Sequence, residues 1–291
     1  MVNLAGSLLQ TLLNNLSASQ PEGFEKLSHS LASLTHKPSQ HAFFYLFAIC
    51  PRWFEKQKTS KNDALKLDDY DPFQVLQQWE HAQAARLVVL LSLANSVDQA
   101  TYVTAINELF KTADVNEQIL LVQSLRFIPH GECFVERARE AARSNIESVF
   151  SAVAHRNTFA SLHFDSAGWN QLILKAAFLA VPIWSIEGLR ARNNEALITM
   201  LHDYSLERHA ASRAVPWDLY CCIGWQCSTD KMLAYLEHEF TRSNARIRAA
   251  IALSLQENPH STAQPLATIL AKNVAQTHAP QHWPTIASMG N

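Results

Sequence analysis

Glycine and proline are scarce in this sequence of 291 residues, which holds 7 of the former and 11 of the latter. Average usage would give about 20 glycines and about 15 prolines. Tight hairpins, phosphate-binding βα loops and barrel corners depend on glycine, because they need positive φ or close backbone approach. The shortage therefore counts against β-sandwiches, barrels and Rossmann-type folds, and it favours a mostly helical protein.

An excess of positive charge is also lacking. The chain has 24 Lys and Arg against 26 Asp and Glu, which gives a formal charge of −2. Nucleic-acid binding depends on a basic surface that releases counterions. The densest charge, at residues 51–72, balances both signs and is predicted to be a charged loop or insertion. We therefore expect no nucleic-acid partner.

Signals for disulfides, metals and membranes are weak. Five cysteines are an odd number, and a chain this long needs no disulfide framework, so reduced thiols in a cytoplasmic protein are favoured. Cys221, Cys222 and Cys227 lack the second ligand pair of a structural zinc site, which favours buried apolar thiols and no metal. No basic residue precedes Lys26, as a secretory signal would require, and the longest apolar runs are too short for a membrane span.

Apolar residues recur with a helical period along almost the whole chain. Leu4, Leu8 and Leu12 share one face of a first helix, and Pro21 is placed to begin a second. The same period predicts later helices at about 73–94, 98–112, 115–128, 131–155, 166–180, 193–213, 229–242, 244–257 and 262–276. Strand-like alternation never persists, so the sequence predicts an all-α fold.

Weak internal repetition indicates how these helices are arranged. Residues 114–129 and 244–259 align on their endings, and short helices repeated at such spacings are typical of α-solenoids. Residues 230–259 resemble a HEAT-type repeat in particular. We predict stacked antiparallel helical hairpins in a HEAT-like α-solenoid. The predicted organisation is a single domain over 1–291, with HEAT-like C-terminal helices at 229–276 and a tail at 277–291.

Signatures of common enzymes are missing. The sequence has no phosphate-binding loop, no dinucleotide fingerprint, no H-E-x-x-H and no G-x-S-x-G. Asp68, Asp69 and Asp71 form an aspartate-rich window, but it lies in the charged loop and not on a rigid helix that could hold Mg²⁺. No cofactor, metal or catalytic residue is predicted, and a non-catalytic role is preferred over an enzyme.

Polar side chains are densest between residues 163 and 217. Asp165 or Ser166 is placed to cap a helix that begins near residue 166. Asn193 or Asn194 is placed to cap the next helix in the same way. We therefore expect two capped, neighbouring helices to carry the polar groups, joined by a turn at Gly188-Leu189.

These polar groups leave three interpretations open. Lys175 lies between two apolar runs of the first helix, where a lysine either turns outward or meets an acid. Asp203 and Glu207, four residues apart on the second helix, are the candidate acids. The groups would form an ion network between the helices, a polar pocket for a small metabolite, or a catalytic acid–base pair with His202 or His163. No nucleophile or metal-ligand set accompanies the third interpretation.

Three motifs in this region resemble the EboA family over about residues 75–225. They read Trp169-Asn170-Gln171-x2-Leu174-Lys175-Ala176, Gly188-Leu189-x2-Arg192-x-Asn194 and Asp203-Tyr204-x2-Glu207-Arg208. Family members are encoded in bacterial gene clusters beside a UbiA-type prenyltransferase, a TatD-like hydrolase and a sugar-phosphate-cyclase-like protein. They are described as metabolite traffic proteins. The resemblance implies a small-metabolite partner, such as an isoprenoid or pigment precursor, and partners among the proteins of the cluster.

The sequence thus predicts a non-catalytic cytoplasmic accessory protein that binds a small metabolite or partner enzymes in secondary-metabolite biosynthesis and trafficking. The alternatives are a pure α-solenoid scaffold for protein interaction and a helical biosynthetic enzyme that uses an acid–base pair. The candidate ligand-binding residues are Trp169, Asn170, Lys175, Arg192, Asn194, Asp203, Tyr204, Glu207 and Arg208.

Overall fold

The regular structure of the described chain is helical. A computed structural model describes residues 2–55, 76, 78–275 and 282–289, and no strand occurs in these ranges. The all-α fold predicted from the helical period is therefore confirmed. Most of the predicted charged loop and part of the predicted tail lie outside the described residues.

The chain divides into two compact units, residues 1–159 and 160–291. A single domain over the whole chain stays a prediction. A short helix, α9, covers Phe159–His163 where the units meet in the sequence. The helices of the first unit are α1 (Val2–Ser19), α2 (Pro21–His36), α3 (Gln40–Ile49), α4 (His81–Ala94), α5 (Gln99–Thr112), α6 (Val115–Ser124), α7 (Val135–Arg143) and α8 (Glu147–Ala154).

Helix α4 lies at the centre of the first unit. Ten of its 14 residues are buried, which explains why its sequence is apolar on all sides. Phe43 and Phe47 of α3 are fully buried, as is Tyr102 of α5. Helix α2 begins at Pro21, as predicted, because the first helical position has no need of a backbone N–H donor.

The second unit contains the remaining helices. They are α10 (Ser166–Leu179), α11 (Leu189–Arg192), α12 (Glu195–Ala210), α13 (Leu219–Gln226), α14 (Asp230–Arg242), α15 (Ala245–Gln256), α16 (Gln264–Ala275) and α17 (Trp283–Ala287). Helices α14 and α15 are the predicted C-terminal pair. Their assignment to a HEAT-type repeat stays a prediction.

Helix α13 lies at the centre of the second unit, where every residue from Leu219 to Trp225 is buried. The burial of Cys221 and Cys222 follows from this position. At Gly224 the neighbouring helix α15 comes so close that an added Cβ would overlap the Ser254 side chain. Glycine is needed here because the two backbones approach closely.

Side-chain caps fix where many of these helices begin. In each case the residue before the helix accepts a hydrogen bond from the backbone N–H three positions later, an interaction worth about 1 kcal/mol. The caps are Ser39, Asp98, Asp114, Asp165, Asn194, Thr229 and Asn244. Asp165 and Asn194 were among the predicted caps, so the starts of α10 and α12 are confirmed.

Two of the differences between the predicted and the observed helix limits have a clear cause in the backbone. The helix predicted at 131–155 is interrupted between α7 and α8, because Ser144 takes a ψ of 141° and breaks the hydrogen-bond ladder. The helix predicted at 193–213 is α12, which ends at Ala210. Ser212 then takes a positive φ of 52°, and Arg213 follows it outside the helix. This second difference decides where Arg213 lies.

Candidate functional site

Helices α10 and α12 carry most of the predicted site residues, and they run in the same direction. Asn170 and Asn194 meet at their beginnings, whereas the Tyr204 hydroxyl donates to the Ala177 carbonyl near their ends. Gly188 lies in the connection between them with a φ of 82°, where an added Cβ would overlap Ser161. The predicted Gly188-Leu189 turn is therefore present. The pair has two distinct ends, and they differ chemically.

At the first end the polar groups pair with one another. Asn170 Nδ2 donates to Asn194 Oδ1 at 3.1 Å, and Asn194 Nδ2 donates back to Asn170 Oδ1 at 2.9 Å. Asn194 Oδ1 also accepts the Leu197 N–H, and its Nδ2 also donates to the Arg192 carbonyl. The side chain of Asn194 thus has no donor left for a ligand.

Arg192 braces the same end of the helix pair. Its Nη1 donates to the Ser161 carbonyl at 2.6 Å and its Nη2 donates to the Phe164 carbonyl at 2.9 Å. The guanidinium lies 5.2 Å from the ring centre of Trp169, which is completely buried. The Trp169 indole N–H has no hydrogen-bond acceptor within the described chain. We call Trp169, Asn170, Arg192 and Asn194 the paired cluster.

The predicted acids lie on the surface. The Asp203 side chain is 70 % exposed and approaches His202 at 3.4 Å, and Glu207 is also exposed. His202 itself is buried, edge-on against the Tyr235 ring at 4.6 Å. Burial lowers the pKa of Lys175, which is half-buried on α10.

At the other end of the helix pair a large cleft opens. Its volume is about 1050 Å³, just above the range usual for small-molecule sites. It lies where α10, α12 and α14 end and where α13 and α15 begin, and we call it the basic cleft. It is lined by Ala180, Val181, Pro182, Trp184, Ser185, Arg208, His209, Arg213, Ala214, Val215, Pro216, Trp217, Asp218, Tyr220, Arg242, Ser243, Asn244, Arg246, Ile247 and Ala287.

Four arginines line this cleft. Arg208 donates from Nε and Nη2 to the Ala214 carbonyl, which holds the turn after α12. Arg246 donates to the carbonyls of Ile286 and Ala287, and its guanidinium lies 4.5 Å from the centre of the Trp217 ring. These contacts orient both side chains along the wall of the cleft.

The remaining two arginines differ in their contacts. Arg242 donates from Nε to Glu239 at 3.0 Å. Arg213 is exposed and forms no side-chain hydrogen bond or ion pair with the residues described here. Arg208 and Arg242 lie in the last turns of their helices, where the helix dipole favours a cation. That preference does not account for Arg213, which lies beyond the helix end.

Two buried carboxyls offset part of this positive charge. Asp218 accepts the backbone N–H groups of Ile183 and Trp184 at 2.6 and 3.3 Å. Burial raises the pKa of Asp218, although these hydrogen bonds and the charge of Arg246 oppose the shift. Its two backbone bonds fix the segment that follows α10 against the start of α13.

The second carboxyl, Glu239, lies just behind the wall of the cleft. Tyr220 donates its hydroxyl to Glu239 at 2.7 Å, and His209 Nε2 lies 3.0 Å from the same oxygen. Burial raises the pKa of Tyr220, and the nearby Tyr235 and Glu239 act in the same direction. Burial likewise raises the pKa of Tyr235 to about 12, and its hydroxyl lies 2.6 Å from Ser205 Oγ. The side chains of this network bond to one another, and the network packs behind the wall of the cleft.

The first unit also has a groove, but its chemistry is different. Its volume is about 390 Å³, and no charged side chain lines it. Pro38, Phe43, Leu93 and Val97 form its apolar surface. This groove therefore offers no charged side chain to a charged metabolite, whereas the basic cleft of the second unit does.

Of the nine predicted site residues, Arg208 is the one that lines the basic cleft. Arg213, Arg242 and Arg246 were not among the predicted residues. An arginine just after a helix, followed by a Pro-Trp pair, was the available sequence signal for the first of them. Nothing in the sequence indicated that the turn between α14 and α15 would approach residues 208–218.

The described residues contain no group of three or more His, Cys, Asp or Glu side chains placed to bind a metal ion. All five cysteines are unpaired, and four of them are buried, whereas Cys133 is exposed. Along the part of the chain that is described, no helix is long and apolar enough to cross a membrane.

The fold and the cleft define an all-α protein with a basic, ligand-sized cleft at the ends of its helices. The chain belongs to the EboA family, since the family model described as "Metabolite traffic protein EboA" matches residues 6–224. This match confirms the resemblance seen in the three motifs and extends it towards the N-terminus. No curated protein and no solved structure gives a significant match. Arg208 and Arg213 fall within the matched range, whereas Arg242 and Arg246 follow it.

Proposed function

We propose that this protein is a non-catalytic cytoplasmic accessory protein that binds a small metabolite in the basic cleft during secondary-metabolite biosynthesis and trafficking. The single observation that supports this best is the cleft itself, which combines ligand-sized volume with polar and aromatic walls. Membership of a metabolite traffic family supports the same role. Five unpaired cysteines support a reducing compartment.

The paired cluster acts as a support for this cleft in our proposal. Asn170, Arg192 and Asn194 are committed to one another and to backbone groups, so they hold the two helices in place. The metabolite, such as an isoprenoid or pigment precursor, and partner proteins from the same gene cluster belong to this proposal as well. Binding at the cleft end would leave the paired cluster unchanged.

The two alternatives have less support. A pure interaction scaffold does not require a polar cleft of this volume. An enzyme built on the predicted acid–base pair would need converging groups, whereas Asp203 and Glu207 are exposed and His202 packs on Tyr235.

Metabolite retention by the purified full-length chain tests the proposal. The protein is incubated with a small-molecule extract of its source cells and separated by size exclusion, and the retained compounds are identified by mass spectrometry. Ser185→Trp places a bulky ring at the cleft wall. Ser166→Trp, at an exposed serine outside the lining, is the matched control.

We expect the original protein and Ser166→Trp to retain the same compound and Ser185→Trp to lose most of it. Equal retention by both variants would place the ligand elsewhere. A chain that retains no compound at all would contradict metabolite binding and favour the scaffold.

A further inference from the structure

We propose that the ligand of the basic cleft is an amphipathic anion, with a phosphate or carboxylate group at the arginines and an apolar body against the tryptophans. This inference rests on the proposed function, because it names the chemical class that the same cleft would take. It is carried by the charges, the uncommitted donors and the apolar wall of the cleft.

The charges in and behind the cleft wall do not balance. Among the described residues, four arginines line the cleft, whereas two carboxyls offset their charge, Asp218 in the lining and Glu239 behind it. The chain as a whole carries a formal charge of −2, so the surplus in the cleft is local and opposite in sign. A concave surface with low-dielectric walls concentrates such a potential and attracts an anion.

Three of these arginines, Arg208, Arg213 and Arg242, keep hydrogen-bond donors that no group of the described residues accepts. Each guanidinium has five N–H donors. Arg208 uses donors on two nitrogens for the Ala214 carbonyl, and Arg242 uses its Nε for Glu239. Arg213 uses none within the described chain. The planar fork of a guanidinium matches the two oxygens of a carboxylate or phosphate, which is the group best able to take these donors.

Among the described residues, the Arg213 side chain has no hydrogen-bond or ion-pair partner. The positive φ of Ser212 ends α12 and turns the chain, and the Arg213 backbone N–H donates to the Arg208 carbonyl at 2.8 Å. The backbone of Arg213 is therefore fixed at the cleft, while its side chain is uncommitted. We assign to Arg213 the main contact with the anionic group.

The apolar side of the ligand has a matching surface. Trp217 is stacked with Trp283 at 6.5 Å between ring centres, and the Arg246 guanidinium lies 4.5 Å from the centre of the Trp217 ring. Trp184, Val181 and Ile247 continue this surface within the cleft. A ring that is already held in place loses little conformational entropy when a ligand packs against it.

Calorimetric titration of the full-length chain tests the anion class with probes of matched shape. Phenyl phosphate and phenol share the ring and differ in charge, while inorganic phosphate supplies the anion alone. Arg213→Gln removes the proposed contact. Arg248→Gln is the matched control, since Arg248 is an exposed arginine of α15 outside the lining.

We expect phenyl phosphate to bind more tightly than either phenol or inorganic phosphate. Arg213→Gln should weaken phenyl phosphate binding about tenfold or more, as expected for loss of a charge-assisted hydrogen bond, while phenol binding stays unchanged. Arg248→Gln should match the original protein. Added salt should weaken phenyl phosphate binding and not phenol binding.

Two results would overturn the anion class and leave the proposed function standing. One is phenol binding that is as tight as phenyl phosphate binding and that weakens in Ser185→Trp. The other is the same affinity of Arg213→Gln and Arg248→Gln for every probe that binds. If no probe binds and no metabolite is retained, both proposals fail. Flotation with phosphatidylglycerol vesicles distinguishes the source of the anion, because a free metabolite site predicts no flotation and a lipid headgroup site predicts flotation that Arg213→Gln abolishes.

Discussion

The two ends of the α10–α12 helix pair differ in how far their amide and guanidinium groups are paired. At the beginning of the helices, Asn170 and Asn194 exchange two hydrogen bonds, and Arg192 donates to two carbonyls. At their other end, Arg208 and Arg213 line a cleft of about 1050 Å³. Polar groups that satisfy one another stabilise a fold, whereas groups left with open donors are available for a ligand.

The largest effect on stability is expected from Arg192→Ala in the paired cluster. The variant loses two charge-assisted hydrogen bonds and the contact with Trp169, so the free energy of unfolding should fall by about 3 kcal/mol. Urea denaturation measures the change. Arg190→Ala is the control, because the exposed Arg190 should cost no more than about 1 kcal/mol. A loss no larger than that of Arg190→Ala would mean that the first end is not a structural brace.

A double-mutant cycle on Asn170 and Asn194 should give a smaller effect. The two amides form a reciprocal pair, so Asn170→Ala and Asn194→Ala should show a coupling energy of about 1 kcal/mol. Chemical denaturation of the two single variants and the double variant provides the value. Additive losses in the free energy of unfolding, with no coupling, would contradict the pairing of the two amides that distinguishes this end from the cleft end.

The cleft end should also carry a pH dependence that the paired cluster lacks. Burial raises the pKa of Asp218 in the folded state above its ordinary value of 3.8. The folded chain then holds a proton that the unfolded chain has lost. The contribution of Asp218 to stability therefore falls as pH rises from about 4 through the folded-state pKa.

Asp218→Asn tests this dependence, since the amide oxygen can still accept the backbone N–H groups of Ile183 and Trp184. Relative to the original protein, the variant should gain stability as pH rises through this range and then reach a plateau. Urea midpoints across the range provide the comparison. Parallel curves for Asp218→Asn would contradict the raised pKa.

The smallest effect on stability is expected from Arg213→Gln. Because the Arg213 side chain has no partner within the described residues, the free energy of unfolding should change by less than about 0.5 kcal/mol. Thermal and urea denaturation measure this change. A loss comparable to that of Arg192→Ala would show that Arg213 belongs to the structural framework and not to an open site.

The sequence predicted the parts of this contrast that depend on local order. Helical periodicity and capping residues are local properties, so the all-α fold and the caps Asp165 and Asn194 followed from neighbouring residues. The turn at Gly188 is local as well, because it requires a positive φ.

The basic cleft could not be predicted in the same way. It depends on Ser212, whose positive φ ends α12 three residues before the predicted limit and places Arg213 in a turn. It also depends on packing that brings Arg242 and Arg246 to the end of α12 from another part of the chain. The residue types in the sequence indicated which helices are polar. Which arginines are already paired follows only from their positions in the folded chain.

An NMR titration of the tryptophan indole N–H resonances tests most directly whether the ligand binds in the basic cleft and not in the paired cluster. Trp184 and Trp217 line the cleft, and Trp169 lies in the paired cluster. Single Trp→Phe variants assign the signals, and phenyl phosphate and phenol are added in turn. We expect the probe that binds to shift the Trp184 and Trp217 resonances and to leave the Trp169 resonance unchanged. A shift confined to Trp169 would contradict binding in the basic cleft.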